Sequence, residues 1–556
     1  MAVNQLKVSD KWQELCRNKT WPDILEETAL RVPDKEALIF QDRRVTYGEY
    51  WDKTKQFAKG LHALGVKPGA PVALWMTNRL EWPYCRFGTL KIGAKQILIN
   101  TRFKAGDLEY VLSHSDAEFL IMEENFFGDI DAMGMLKQLC PELETSAAGQ
   151  LNLDRFPKLK TIVCLGNQKQ PGCFSLEEML EIGENVSDEE IKAQLHPDDT
   201  CHIIYTSGTT GFPKGVVTPY SINIAFCAIS TELFHLDQKS RYLGLVPFFG
   251  NIGLWNLQLP MIVGCTLIIA DRYSPEDALK FIEKEKITHT ILVPTMLVDV
   301  LSHPNFAKYD TKSLKHVVSG GAAIPAALIR DAKEKLGIDI MNAYGQVEAS
   351  GLCLWVPEGE TAEHIQYTIG LPMPHGEVTI RDPKTNNELP VNQEGEICTR
   401  EVFSGSQHMK GYYKDPKLTA ETIIDGWLHS GDLGKKDEDG YFRLTGRAKE
   451  MYIVGGFNVS PVEVENELLQ YPIVEQVAVV GVPDKRLGEV GAAFIRVKPG
   501  KTITEKEIIA YSKEKMTNIK VPRYVAFVKD FPINPQGKIQ KFKLREQAVK
   551  IWHLED

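Results

Sequence analysis

The chain has 556 residues, 43% of them hydrophobic and 25% charged, with 74 acidic against 64 basic side chains and a formal net charge of −10. That length exceeds one typical core, so two or more domains of a globular protein are expected, and the acidic balance argues against a nucleic-acid-binding function. Its ten cysteines are scattered from Cys16 to Cys398 with no CxxC pair, which fits a reducing compartment and gives no structural zinc site.

The opening Met1-Ala2-Val3-Asn4-Gln5-Leu6-Lys7 carries no long apolar run, so no signal peptide and a cytoplasmic location are expected. Apolar periodicity predicts an amphipathic helix over 47–64 and strands over 71–75, 119–122 and 161–165. The pairs Ile203-Ile204 and Val216-Val217 then flank Tyr205-Thr206-Ser207-Gly208-Thr209-Thr210-Gly211-Phe212-Pro213-Lys214-Gly215. This segment packs four Ser/Thr hydroxyls, three glycines and a lysine between two predicted strands. Glycines let backbone N–H groups turn toward an anion, hydroxyls donate further hydrogen bonds, and the lysine adds charge, so a polyphosphate loop is expected. It is not a Walker A loop: Pro213 stands at the second glycine and Gly215 at the Mg²⁺-binding hydroxyl.

Further strands are predicted over 266–270 and 290–293 and helices over 275–285 and 324–336. The alternation indicates an α/β fold with parallel-rich sheets. The most apolar stretches, such as 257–270, are too short and interrupted to span a bilayer, so no integral membrane segment is expected. Over 370–445 the texture changes to short strands and frequent turns, a small β-rich subdomain. After Gly446-Arg447-Ala448-Lys449, helices over 461–469 and 505–515 and strands over 474–480 and 491–497 form an α+β module, which closes with Asn534-Pro535-Gln536-Gly537-Lys538.

The loop 205–215 resembles the phosphate loop of the adenylate-forming superfamily, which includes acyl- and aryl-CoA ligases, firefly luciferase and the adenylation domains of peptide synthetases. Further segments resemble the superfamily's motifs in its order: Ser319-Gly320-Gly321-Ala322, Tyr344-Gly345-Gln346-Val347-Glu348, Ser430-Gly431-Asp432-Leu433-Gly434, Gly446-Arg447 and Pro535-Gln536-Gly537-Lys538. The resemblance implies a large N-terminal domain over 1–446, a hinge over 447–450 with Lys449 as its pivot, and a small mobile α+β lid domain over 451–556. It implies ATP, Mg²⁺ and coenzyme A as cofactor and co-substrates and a small carboxylic acid as substrate. Thr206, Ser207, Gly208, Thr209, Thr210 and Lys214 would hold phosphates, and Gly320, Gly321, Ala322, Tyr344 and Gly345 would lie against adenine. Asp432 would accept from the ribose hydroxyls, Arg447 would contact ribose and phosphate, and Glu348 would hold Mg²⁺, a hard cation that prefers oxygen ligands. Thr206, Glu348 and Lys538 are the implied catalytic residues, Lys538 because a cation must offset the charge that builds as a carboxylate attacks an α-phosphate. Val347 stands where the family carries threonine, which removes one hydroxyl contact to the nucleotide.

For the second half-reaction the resemblance implies a pantetheine tunnel at Val454-Gly455-Gly456-Phe457-Asn458, with Arg486, Lys520 and Arg523 as candidates for the CoA phosphates. The expected acyl pocket comprises Phe249, Gly250, Trp255, Gly321 and Gly345. Acetate-specific relatives carry tryptophan at the position of Gly345, and a histidine often stands where this chain has Gly250. Two glycines there imply a roomy pocket for a medium-chain, alicyclic or aromatic acid. The implied activity is an AMP-forming acid–CoA ligase. A freestanding enzyme loading a carrier protein and a nucleotide-binding regulator without catalysis are the alternatives, and monomer and homodimer stay open.

Overall fold

The computed structural model describes residues 10–206, 213–321, 324–402, 408–447, 450–455, 457–533 and 539–554. Among these, two large sheets dominate. One runs in the spatial order Gly411–Tyr412, Lys214–Pro219, Thr200–Thr206, Lys95–Leu98, Pro71–Trp75, Phe119–Glu123, Thr161–Leu165 and Cys173–Ser175. Its six strands from Thr200–Thr206 to Cys173–Ser175 are parallel, and the first two are antiparallel additions. Continuous apolar runs such as Pro71–Trp75 suit strands covered on both faces.

The other large sheet is parallel from Ile340–Gln346 through His316–Gly320, His289–Ile291, Arg241–Gly244 and Thr266–Ile269 to Glu36–Phe40, with antiparallel strands at both ends. Between the two sheets lie the helices Tyr220–Leu233 and Asn251–Val263, almost wholly buried. A five-stranded antiparallel sheet follows, built on Gly376–Arg381, Gly395–Glu401 and Trp427–Lys436. The C-terminal module has its own core and sheet, dominated by the hairpin of Val474–Asp484 and Gly488–Val497.

The expected helix 47–64 forms as Tyr47–Ala63, started by a capping box in which the Thr46 hydroxyl accepts from the Glu49 N–H and the Glu49 carboxylate accepts in return. Several boundaries differ: the strands expected over 474–480 and 491–497 are Val474–Asp484 and Gly488–Val497. The strand expected over 290–293 is His289–Ile291, because Val293 caps the helix Pro294–Leu301, whose first-turn proline has no N–H to lose.

Parallel strands gather loops at their carboxyl ends. Here Thr200–Thr206, Arg241–Gly244, His316–Gly320 and Ile340–Gln346 end in the segments singled out from sequence. Asn78, past the end of Pro71–Trp75, ties the two sheets together there: its Nδ2 donates to the Val246 carbonyl at 3.1 Å and its Oδ1 accepts from the Phe248 N–H at 2.8 Å.

Candidate active site

The strand Thr200–Thr206 pairs with Lys214–Pro219 as a hairpin in which Thr206 stands opposite Lys214. Ser207, Gly208, Thr209 and Thr210, between these strands in sequence, lie outside the described residues. The short strand Gly411–Tyr412 extends the hairpin, pairing Tyr412 with Val216, and brings its ring under Lys214, whose Nζ is 5.5 Å from the ring centre. The Tyr412 hydroxyl donates to Glu348 Oε1 at 3.0 Å. Lys214, Tyr412 and Glu348 are thus one continuous contact joining the hairpin to the carboxylate expected to hold Mg²⁺. Sequence reasoning missed Tyr412, since only the long-range pairing of its strand shows what it touches. Burial, and then the Glu348 carboxylate, push its hydroxyl well above the usual phenol range, so it is a neutral donor at ordinary pH.

A second cluster forms around Asp432, itself 4% exposed. The Tyr344 hydroxyl donates to Asp432 Oδ2 at 2.5 Å, and Arg447 Nε lies 2.7 Å from Oδ1. Asp432 and Arg447 are cross-strand partners of Trp427–Lys436 and Phe442–Arg447, which explains the pairing. The Asp432 carboxylate holds the Arg447 guanidinium above its usual value, while burial and the same carboxylate raise the Tyr344 hydroxyl. Each Asp432 oxygen has a further lone pair, as a ribose diol requires.

Gly320 and Tyr344 belong to neighbouring parallel strands, and a side chain at Gly320 would collide with the Ala343 carbonyl, 2.2 Å from its Cβ position. Gly321 has φ +81°, a backbone form that glycine adopts freely, and open space stands in front of it. That leaves room for a flat ring beside the strand ends. Ala322 and Lys449 lie outside the described residues.

Of the residues expected to line the acyl pocket, Phe249 and Trp255 are buried, and the Phe226 ring packs 4.4 Å from that of Trp255. The two glycines expected to widen this pocket are not equivalent. Gly250 caps the helix Asn251–Val263, and a Cβ there meets only the Pro247 carbonyl, at 3.6 Å. A Cβ on Gly345 would stand 2.2 Å from the Gly351 carbonyl and 2.7 Å from Leu352 Cα. Gly351 is itself pressed on Phe226, with 2.4 Å between its Cβ position and the ring. Space is free at Gly250; at Gly345 the next strand's backbone fills it.

In the C-terminal module, Gly455 (φ +57°) lies at the turn between Tyr452–Val454 and Phe457–Val459, and its N–H donates to the Leu487 carbonyl at 2.8 Å. This brings the exposed Arg486 to the same hairpin end, and Arg523 sits 3.8 Å from Asp484 of that turn. Lys520 is elsewhere, paired with Glu463 at 2.7 Å. Phe457 is 63% exposed, and Gly456 lies outside the described residues. Lys538 does too; the described residues on either side of 534–538, Ile533 and Ile539, form an antiparallel bridge.

Just past that loop, Lys541 Nζ contacts Glu465 Oε1 at 2.8 Å and Glu450 Oε2 at 3.1 Å, a triad that sequence reasoning did not foresee. Glu465 also accepts from the Val479 N–H at 2.7 Å. Burial pushes the Glu465 carboxyl up; burial works against the Lys541 charge, but the two carboxylates hold it above its usual value. The triad joins the segment after 447–449 to the helix after 534–538.

Comparison with known proteins agrees with this layout. The AMP-binding enzyme family matches residues 25–413, and the AMP-binding enzyme C-terminal domain matches 463–538. YngI of Bacillus subtilis (strain 168), which carries an acyl-CoA synthetase name, is 39% identical over 539 residues, covering 96% of this chain and 97% of its own. A Rhodococcus jostii (strain RHA1) 3-[(3aS,4S,7aS)-7a-methyl-1,5-dioxo-octahydro-1H-inden-4-yl]propanoyl:CoA ligase is 34% identical, over 95% of this chain and 98% of its own. The mitochondrial medium-chain acyl-CoA ligase ACSF2 of Danio rerio is also 34% identical, over 96% of this chain and 89% of its own. Among solved structures, the anthranilate CoA ligase AuaEII in complex with anthranoyl-AMP superposes with a TM-score of 0.86 at 29% identity, covering 98% of this chain and all of that one.

Proposed function

The chain belongs to the AMP-binding enzyme family, and from that membership we propose the reaction of its site: it is an AMP-forming acyl-CoA ligase acting on a medium-chain, alicyclic or aromatic monocarboxylic acid. One observation carries the assignment of the site. The contact Lys214–Tyr412–Glu348 and the cluster Tyr344–Asp432–Arg447 are built from distant segments and flank the same strand, Ile340–Gln346, and the loop that follows it.

A carboxylate oxygen of the acid attacks the α-phosphorus of ATP, the bond to the bridging oxygen breaks, and pyrophosphate leaves. Asp432, steadied by Tyr344 and Arg447, holds the ribose; Lys214 and the 206–210 hydroxyls and N–H groups hold the phosphates. Glu348 is an oxygen donor of the kind Mg²⁺ selects, and the ion would keep waters and phosphate oxygens as its other ligands. Bound there, Mg²⁺ supplies positive charge against the polyphosphate. Lys538 would offset charge at the attacked phosphate in this step only. The CoA thiol then attacks the acyl carbonyl, the C–O bond to AMP breaks, and the thioester and AMP are released. Rotation of residues 451–556 about 447–450 would exchange Lys538 for the hairpin that carries Gly455.

Relatives named for a medium-chain acid, a ring-bearing propanoate and anthranilate support the substrate range, as does the free space at Gly250. Cytoplasmic operation is supported by ten buried, unpaired cysteines. Among the described residues no helix is long and apolar enough to cross a membrane. AMP release with Mg-ATP and CoA, across acetate, hexanoate, octanoate, benzoate and cyclohexanecarboxylate, tests the reading. Turnover greatest on a medium-chain or cyclic acid supports it; acetate as best substrate overturns the pocket argument. Acyl-AMP that forms but is not consumed when CoA is added, with no acyl-CoA produced, points to carrier-protein loading.

A further inference from the structure

The loop presenting Asp432 is a defect in a sheet. Strands Gly395–Glu401 and Trp427–Lys436 pair Glu396 with Leu433 and Cys398 with His429, so one strand advances two residues where the other advances four. The surplus, Ser430-Gly431, is a bulge, the device that re-aims a neighbouring side chain out of register. Gly431 takes φ +75° there, and its N–H has left the ladder. Glu396 takes up that donor: its Oε1 accepts from the Gly431 N–H at 2.7 Å. Oε2 accepts from His429 Nδ1 at 2.8 Å, which fixes both the carboxylate rotamer and the proton on Nδ1, since a carboxylate only accepts. Ser430 completes the strap, donating from Oγ to the Ile397 carbonyl at 2.6 Å and accepting from the Asp432 N–H at 3.0 Å. The two side chains are enclosed, His429 9% and Glu396 13% exposed, so water competes poorly for these bonds.

Glu396, Cys398 and His429 offer donor atoms within 4.8 Å of one another, which raises the alternative of a metal site. The distances are those of a hydrogen-bonded cluster. Two ligands at a tetrahedral zinc sit roughly 3.3 Å apart for bonds of about 2.0–2.1 Å, whereas Oε2 and Nδ1 are at the 2.8 Å of a hydrogen bond.

We propose that Glu396, with His429, is a positioning residue for nucleotide selection: it holds the Gly431 bulge so that Asp432 meets both ribose hydroxyls. The proposal rests on the reading of Asp432 as the ribose acceptor. It predicts a selective loss, because only contacts to the ribose diol depend on the bulge, whereas contacts to base and phosphates come from other strands.

The test compares ATP with 2′-deoxy-ATP on wild type, Glu396→Ala and Glu396→Gln, by acyl-AMP formation and, independently, by calorimetric titration of each nucleotide. Glu396→Ala is expected to raise KM and Kd for ATP about tenfold, as lost orienting contacts behind a site commonly do, with kcat within twofold. The values for 2′-deoxy-ATP, which keeps only the 3′-hydroxyl, should rise less, so discrimination between the nucleotides narrows. Glu396→Gln keeps an oxygen for the Gly431 N–H and offers an amide to His429 in its other tautomer, so it should recover most of the discrimination. Equal weakening toward both nucleotides, or an unchanged ratio, overturns the proposal. So does a wild type that binds both equally, since Asp432 then does not read the 2′-hydroxyl and cannot meet both. Failure of wild type to form acyl-AMP while still preferring ATP in the titration would sink the reaction assigned above and leave this proposal standing.

Discussion

Replacing Tyr412 by phenylalanine removes one atom from the contact between Glu348 and the hairpin of Thr200–Thr206 and Lys214–Pro219. The ring stays, so its place under Lys214 and the pairing of Tyr412 with Val216 persist, and stability should change little. What goes is the hydroxyl that donates to Glu348 Oε1 at 3.0 Å. A hydrogen bond to a charged group contributes roughly 1.5–3 kcal/mol, and because Glu348 is only partly buried, water can replace some of it, leaving about 1–2 kcal/mol. At 1.4 kcal/mol per decade that is a roughly 5- to 30-fold loss, in the range seen when a metal ligand loses its orienting partner. The half-saturating free Mg²⁺ for AMP release should rise by that factor, with KM for acid and CoA unchanged. Rates across a Mg²⁺ series at fixed ATP, together with Mg²⁺-dependent ATP binding by calorimetry, read it out. An unaltered Mg²⁺ dependence, or a matching fall in melting temperature, would refute the reasoning.

Other perturbations follow from the same contacts. Lys541→Met leaves Glu465 and Glu450 unpaired and should destabilise the C-terminal module by about 3 kcal/mol, with Glu465→Gln in the same chain restoring part of it; denaturant unfolding checks this, and no loss would show the triad to be inert. Burial lowers His289 and His375 to about 4 and His408 to about 3. An exposed imidazole titrates near 6.5, so below that pH the unfolded chain binds more protons; stability is full above about pH 6.5 and falls toward pH 4 by up to ~1.4 kcal/mol per unit for each histidine. A melting temperature flat from pH 7 to 5 would contradict the neutral burial of these rings. Gly250→His should fold normally and shift preference toward smaller acids, whereas Gly345→Ala should cost roughly 1–3 kcal/mol as the strand Gly351–Trp355 is displaced. Equal melting temperatures for the two variants would count against the asymmetry.

Much of the architecture was legible because local pattern and final environment agree. The apolar runs at 71–75 and 161–165 are buried parallel strands, and the turn-rich stretch after 370 is an antiparallel sheet. The boundary at Val293 was misplaced because apolar character continues through it, while the proline after it starts a helix. Motif residues such as Asp432 and Arg447 could be named in advance, but their 2.7 Å pairing depends on strand register. Tyr412, Glu396 and the Lys541 triad carried no local signal at all: a tyrosine in a two-residue strand, a glutamate opposite a bulge and a lysine in a basic tail acquire their contacts only when distant segments meet. The pocket wall at Gly345 was opaque for the same reason, since what fills it is the backbone of another strand.

The central claim is that a carboxylate of the substrate becomes bonded to the α-phosphorus of ATP before CoA enters. Supplying the best acid of the panel with both carboxyl oxygens as ¹⁸O, together with Mg-ATP and CoA, and weighing the products by mass spectrometry tests this directly. The account predicts AMP carrying one ¹⁸O on its phosphate, acyl-CoA retaining the other, and unlabelled pyrophosphate. Unlabelled AMP, or ADP and phosphate as the products, would contradict it.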